Sequence, residues 1–174
     1  ADTGTCGAAK KGTLRWDATY GLEACNGVDW VSARPRPVIW SGGCTSSNSG
    51  SGEATYCLNG SDFNTADKYM TVGTNGVITF KLDGYYRINV WMDGTSCSYR
   101  RVYMLKNGTQ VANSHHYESS GGWYQLVLDQ TWPFQKNETA QIISQNDCNY
   151  YRWHSWNQYG QHSRLQVEFV GSFQ

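Results

Sequence analysis

Charge is scarce in this sequence and neither sign is in surplus: of 174 residues, Lys and Arg number 14, Asp and Glu number 14, and charged residues make up 16%. Without a basic stripe there is nothing to grip phosphates or acidic lipids, so nucleic-acid and membrane-surface roles are not expected. No run of about 18 apolar residues occurs, which leaves no candidate for a membrane-spanning helix or for membrane insertion. Six cysteines are present without a single C-x-x-C pair, so neither a zinc ribbon nor a dithiol redox motif is in view. A G-x-S-x-G elbow is also missing, as is any local pattern that would set a histidine beside a serine. The first residues, "ADTGTC", lack a charged n-region and an apolar h-region, as expected of a mature secreted chain.

What is there favours strands. Aromatics reach 14%, glycine numbers 19 and proline only three, a mixture of strand formers and turn formers. From residue 68 turn signals recur about every ten residues, and the stretches between them alternate apolar and polar with no competing helical period. In "YYRINVWM", Tyr86, Ile88, Val90 and Met92 share one face, and Tyr85, Arg87, Asn89 and Trp91 the other. "RLQVEFV" turns Leu165, Val167 and Phe169 inward in the same way, and Asn107-Gly108 reads as a hairpin turn. The expected fold class is all-β, a two-sheet antiparallel sandwich.

Residues 1–33 read as a separate, small β-hairpin module: "GTLRWD", "YGLEAC" and "DWVSA" are short strand-like pieces, the last two divided by Asn26-Gly27. "ARPRP" follows as a stiff connector to a main domain over 34–174. Three short strands bury little apolar surface, so Cys6 and Cys25 are expected to join and hold them. "CTSSNSGSGEATYC" reads as a loose Ser/Gly loop that Cys44 and Cys57 would tie, and Cys97 with Cys148 remains as the third bridge. Asn59, Asn107 and Asn137 each open an N-x-Ser/Thr sequon and are glycosylation candidates.

The succession "NGVITFKLDGYYRINVWM", "VYMLKNGTQV", "WYQLVLDQTWPFQKNETAQI" and "SRLQVEFVG" resembles the globular head of complement C1q and its tumour-necrosis-factor-like relatives. The resemblance covers roughly residues 65–173. It implies a C1q/TNF-like jelly roll that assembles as a homotrimer for extracellular recognition and is not an enzyme. The sequence departs from that pattern in the aromatic stretch 150–159, in Cys97 and Cys148, and in "QKNETA" where a Gly-Asp turn is usual. The N-terminal "GTLRWDATYGLEACNGVDW" resembles a small β-module found near the stems of trimeric fibrous proteins.

The stretch "NDCNYYRWHSWNQYGQHSRLQV" concentrates rings and planar polar groups. Saccharides stack apolar C–H faces on Trp or Tyr, and their hydroxyls pair with Arg, His and amides. Read as a strand, "YYRWHSW" puts Tyr150, Arg152, His154 and Trp156 on one face and Tyr151, Trp153 and Ser155 on a core face. With Tyr159 and the loop-flanking Trp123, that first face is the candidate ligand surface. The same rings would equally serve to pack neighbouring protomers. The spacing of His154 and His162 is not that of metal ligands, and His115 and His116 fall on opposite faces of a strand. Asp147, flanked by Asn146 and Asn149, offers hard oxygens for calcium but lacks the spacing of a calcium loop and reads as a solvated turn. The expected function is therefore a secreted trimeric lectin. The alternatives are a structural or adhesive trimerisation head, or a protein ligand of a receptor.

Overall fold

The computed structural model describes residues 4–33, 38–64, 66–96, 98–117, 122–149, 151–153 and 163–172. Strands dominate them, short 3-10 turns occur at Ala8–Lys10 and Ala66–Lys68, and there is no α-helix among the described residues. The first three strands, β1 (Leu14–Asp17), β2 (Gly21–Cys25) and β3 (Trp30–Ser32), form a small antiparallel sheet of their own. Next come β4 (Val38–Gly43), β5 (Asn48–Ser49), β6 (Gly52–Thr55), β7 (Gly60–Asn64), β8 (Met70–Val72) and β9 (Val77–Phe80). The long strands follow: β10 (Gly84–Ser96), β11 (Tyr99–Lys106), β12 (Thr109–Tyr117), β13 (Gly122–Phe134) and β14 (Thr139–Asn146). The chain closes with β15 (Tyr151–Trp153) and β16 (Arg164–Gly171).

Two sheets face each other. One runs β13-β10-β16-β4-β7; the other runs β12-β11-β14-β9-β8, with β6 also paired to β14. Between them lies a core of fully buried side chains that includes Tyr86, Ile88, Val90 and Met92 from β10 and Leu165 and Val167 from β16. The expected in-out alternation of both strands holds, because a sheet with one wet face must send every second residue inward. Phe80 stacks on Phe134 with centroids 3.9 Å apart, and Tyr86 packs beside Phe80 at 4.5 Å. Burial raises the Tyr86 and Tyr56 phenols well above the ordinary tyrosine range, and pushes Tyr69 up to about 12. The β11–β12 hairpin turns on Asn107 (φ 49) and Gly108 (φ 79), the two left-handed residues of the tight turn expected there.

Two elements differ from expectation. The Ser/Gly segment between Cys44 and Cys57, expected to be loose, carries β5 and β6, which pair with β15 and β14. Its backbone groups found strand partners that a composition argument does not see. Also, β10 continues past the alternating stretch "YYRINVWM", through Asp93 to Ser96, because β13 pairs with it all the way to Gly122. Cys6–Cys25 and Cys44–Cys57 are bonded, with Cα–Cα distances of 5.5 and 4.9 Å. Cys148 is disulfide-bonded as well; its expected partner, Cys97, lies outside the described residues.

Candidate functional site

The ends of β10, β11, β12, β13 and β14 meet at one pole of the sandwich, and exposed rings gather there. Trp123 stands opposite Thr95 in the β10–β13 register. Thr95 Oγ1 also accepts the Tyr151 N–H at 3.0 Å, so one residue seats the backbone under both rings. Trp123 is 61% exposed and Tyr151 42%; their ring centroids are 6.5 Å apart and the planes differ by 21°. On the neighbouring β12, Tyr117 is 69% exposed and tilts against Tyr99 at 4.8 Å, with His115 edge-on to it at 5.4 Å. His116 points to the opposite face and stacks on Tyr124 at 4.0 Å.

Beneath this surface lies a buried guanidinium. Arg100 of β11 is fully buried; its Nη1 donates to Tyr124 O and its Nη2 to Arg152 O, both at 2.6 Å. Those carbonyls belong to the residues directly after Trp123 and Tyr151, so a single side chain fixes the backbone beside each exposed ring. Burial lowers the Arg100 pKa to about 10, opposed by the charge of Asp93, and the group still carries its proton at neutral pH. Gly94 is required at this junction: a Cβ there would come within 2.5 Å of Tyr151 O and 2.9 Å of the Arg100 guanidinium.

The expected ligand residues separate. Trp123 is exposed, as a ligand-contacting ring must be. Arg152 is not on an open face: it is 8% exposed, and it donates to Asn48 Oδ1 at 2.7 Å, to Gly52 O at 3.2 Å, to Ser49 O at 3.3 Å and to Ser51 O. It anchors the Cys44–Cys57 segment. Tyr151, expected on the core face, is the exposed one, while Trp153 is buried edge-on to Tyr56 at 5.3 Å and donates to Ser46 O at 3.2 Å. The strict alternation assumed for 150–156 fails because β15 spans only three described residues and its register with β5 shifts between Tyr151 and Trp153. Tyr150, His154, Trp156 and Tyr159 lie outside the described residues.

Asp147 clamps a turn: its carboxylate accepts the Ser98 N–H at 3.1 Å and the Tyr99 N–H at 2.9 Å. Asn146 Nδ2 donates to Thr95 O at 2.8 Å. These two side chains therefore order the pole, and the two N–H groups give the Asp147 carboxylate a structural role. Asn59, Asn107 and Asn137 are all exposed. Asn107 is engaged across the hairpin, donating to Glu138 Oε1 at 2.9 Å and accepting the Thr139 N–H at 2.8 Å. Tyr99, Tyr117 and Arg100 escaped the sequence-based choice of site residues. The signal that was available is the cluster of Tyr, His and Arg at facing positions of two strands joined by an Asn-Gly hairpin.

Among solved structures, the chain is similar to the globular domain of zebrafish complement 1qA protein, with TM-score 0.56, 10% identity, and coverage of 77% of this chain and 98% of that one. It is also similar to Eiger TNF from S. frugiperda, with TM-score 0.63, 11% identity, and coverage of 81% and 96%. Murine APRIL matches with TM-score 0.57, 5% identity, and coverage of 76% and 98%. No protein-family model and no curated protein sequence matches. At these identities the likeness establishes the fold, which is the C1q/TNF-like jelly roll.

Proposed function

We propose that this chain is a secreted, non-enzymatic recognition head that assembles as a homotrimer and binds glycans at the aromatic pole. The observation that carries the reading is the exposed Trp123–Tyr151 pair, near-parallel and seated on a backbone that Arg100 and Thr95 hold from within. Rings held in place before binding lose little entropy when a saccharide face stacks on them. The expected Arg152 contact is replaced in this reading by Tyr151, with Tyr117 and His115 close by on β12. Tyr150, His154, Trp156 and Tyr159 remain proposed members of the same surface, and residues 1–33 a small docked module.

Secretion draws support from disulfides, which persist in oxidising compartments. No helix among the described residues is long and apolar enough to cross a membrane. For the trimer, the outward face of β10, β13 and β16 is the proposed interface: it exposes Tyr85 and Val127 beside the Arg87–Asp129–Glu168 ion network. Three equivalent poles would then turn weak single-site binding into avidity.

A second reading, a structural or adhesive head, is favoured by one observation. Trp123 shares the outward face of β13 with Val127 and Asp129, so a neighbouring subunit could cover it. Glycan-array binding together with solution mass separates the two. A lectin loses array binding with Trp123→Ala or Tyr151→Ala and keeps its trimer mass. A structural head loses the trimer with the same changes. Array silence with an intact trimer leaves the third reading, a protein ligand of a receptor.

A further inference from the structure

We infer that the cleft between β7 and β8 is a second binding site, made for a single neutral pyranose ring and independent of the aromatic pole. β7 and β8 are the edge strands of the two sheets, at the opposite side of the sandwich from β13 and β12. Between them opens a cleft of about 250 Å³. Its floor is apolar and closed: Trp40, Leu58 and Met70 are each at most 4% exposed. Its rim carries Asn59, Ser61, Asn64, Asp67, Thr71 and Thr74, that is, two amides, hydroxyls and one carboxylate.

The rim chemistry selects the ligand. Among the described residues no Lys or Arg lines the cleft; the nearby Lys68 ammonium is on Glu23, and Lys81 Nζ donates to the backbone oxygen of Asp67 at 2.6 Å. The one ionisable side chain among these lining residues is the Asp67 carboxylate, and the nearby cations are already engaged, so the rim offers phosphate, sulfate and carboxylate ligands no cationic partner. Drug-sized apolar ligands use cavities of roughly 300–1,000 Å³ lined mainly by apolar groups. A small ring bearing several hydroxyls suits this cleft better: each hydroxyl donates and accepts, Asp67 accepts only, Asn59 is left to donate, and side chains of the Asn64 and Ser/Thr kind can do both. The wall is fixed in advance. Cys44–Cys57 closes the preceding segment, and the β4 and β7 backbones are in direct contact, since a Cβ on Gly42 would come within 2.1 Å of Gly60 O.

Asn59 sharpens the assignment. Its Oδ1 accepts the Thr45 N–H at 2.8 Å and the Thr45 hydroxyl at 3.2 Å, and Thr45 is not part of the cleft wall. With its oxygen so engaged, the amide nitrogen is the atom of Asn59 open to a further partner, and in the sequon Asn59-Gly60-Ser61 that nitrogen is the atom a glycan would be attached to. The ring can thus come from a free saccharide or from the first sugar on Asn59 itself.

The test titrates methyl N-acetylglucosaminide into the full-length, disulfide-bonded, unglycosylated chain and follows backbone amides by NMR. The amides of Ser61, Thr71 and Thr74 should shift and saturate. Asp67→Asn should weaken the binding about tenfold, the loss of a hydrogen bond to a charged acceptor. Thr71→Val, also at an exposed position, should weaken it less, and Trp123→Ala should leave it unchanged. Unmoved cleft amides at saturating sugar, or affinities untouched by both rim variants, overturn the assignment. Loss of array binding at the aromatic pole has no bearing on it. In a second arm, the chain is produced with Asn59 glycosylated. Cleft amides already displaced, with no further response to free sugar, identify the attached glycan as occupant; a cleft that still titrates identifies a free saccharide.

Discussion

In the N-terminal sheet Leu14 and Trp16 stand 60% and 63% exposed, whereas Phe80, Tyr86 and Phe134 of the sandwich are completely buried. Both regions alternate apolar and polar residues, yet only the second has a facing sheet to close over its apolar side. Three short strands cannot bury enough surface to offset the entropy of ordering them, and other devices hold β1–β3. Cys6–Cys25 closes the unit, and the Asn26 side chain caps its tight turn by accepting the Val28 and Asp29 N–H groups at 2.8 and 2.7 Å. Glu23, fully buried, pairs with Arg15 at 2.8 Å on its own sheet and with Lys68 of the sandwich. Asn26 to Ser172 and Ser32 to Tyr69, both 2.9 Å, add two neutral links to the sandwich. The lesson is that one region is held by area and the other by named bonds, and substitutions should separate the two.

The widest gap is between two aromatic truncations. Phe80→Ala removes a ring stacked at 3.9 Å on Phe134 and should cost about 3–5 kcal/mol of unfolding free energy, while Trp16→Ala should cost less than about 0.5. Chemical denaturation of both variants reads the difference; similar losses would erase the distinction between the regions. Next comes Cys6→Ser with Cys25→Ser, which should destabilise the N-terminal sheet by about 2–4 kcal/mol. Hydrogen exchange should show protection lost in β1–β3 and retained in β10 and β16. Third, Glu23→Gln removes the buried carboxylate between two cations and should cost about 1–3 kcal/mol, below the range for a fully buried pair because Arg15 and Lys68 are partly exposed. Its signature is a loosened sheet whose interior keeps its disulfide, read as faster exchange at Ser32 and in the Ala66–Lys68 turn.

The same contrast explains what the sequence disclosed. Long strands with a strict period of two, such as β10 and β16, were legible because one burial rule governs every residue in them. The hairpin at Asn107-Gly108 was legible because few residues tolerate its backbone angles. The candidate site was read less well. Trp123 is exposed as expected, but Arg152 and Tyr151 exchanged their expected exposure, since three residues of β15 and its shifted register with β5 escape a rule built on long regular strands. The cross-strand cluster marked Arg100 as a residue of note, but its role was invisible for another reason. Nothing beside a buried arginine tells that it serves two backbone carbonyls, since those partners lie 24 and 52 residues away in sequence.

The smallest predicted effect is an acid one, and it compares one carboxylate from each region. Asp17 is held below the ordinary carboxylate value of 3.8 by backbone N–H groups, Tyr20 first and then Thr19. Asp129 is held below it chiefly by hydrogen bonds from Arg87, with its burial opposing. Depressed folded-state values mean that the unfolded chain takes up protons first as pH falls. Each group's contribution is therefore complete above pH about 4 and disappears as pH drops through its folded value. The two should differ in their response to salt. The Arg87–Asp129 pair is an exposed ion pair and is screened, whereas Asp17 bonds to adjacent N–H groups within its own turn and is screened much less. Asp17→Asn keeps the turn acceptor and should flatten the acid response of Thr19 and Tyr20 amide exchange at any salt. Asp129→Asn should flatten only the salt-sensitive part of the thermal midpoint's fall. Equal salt sensitivity at both sites would mean that the N-terminal turn is held by net charge and not by its local hydrogen bonds.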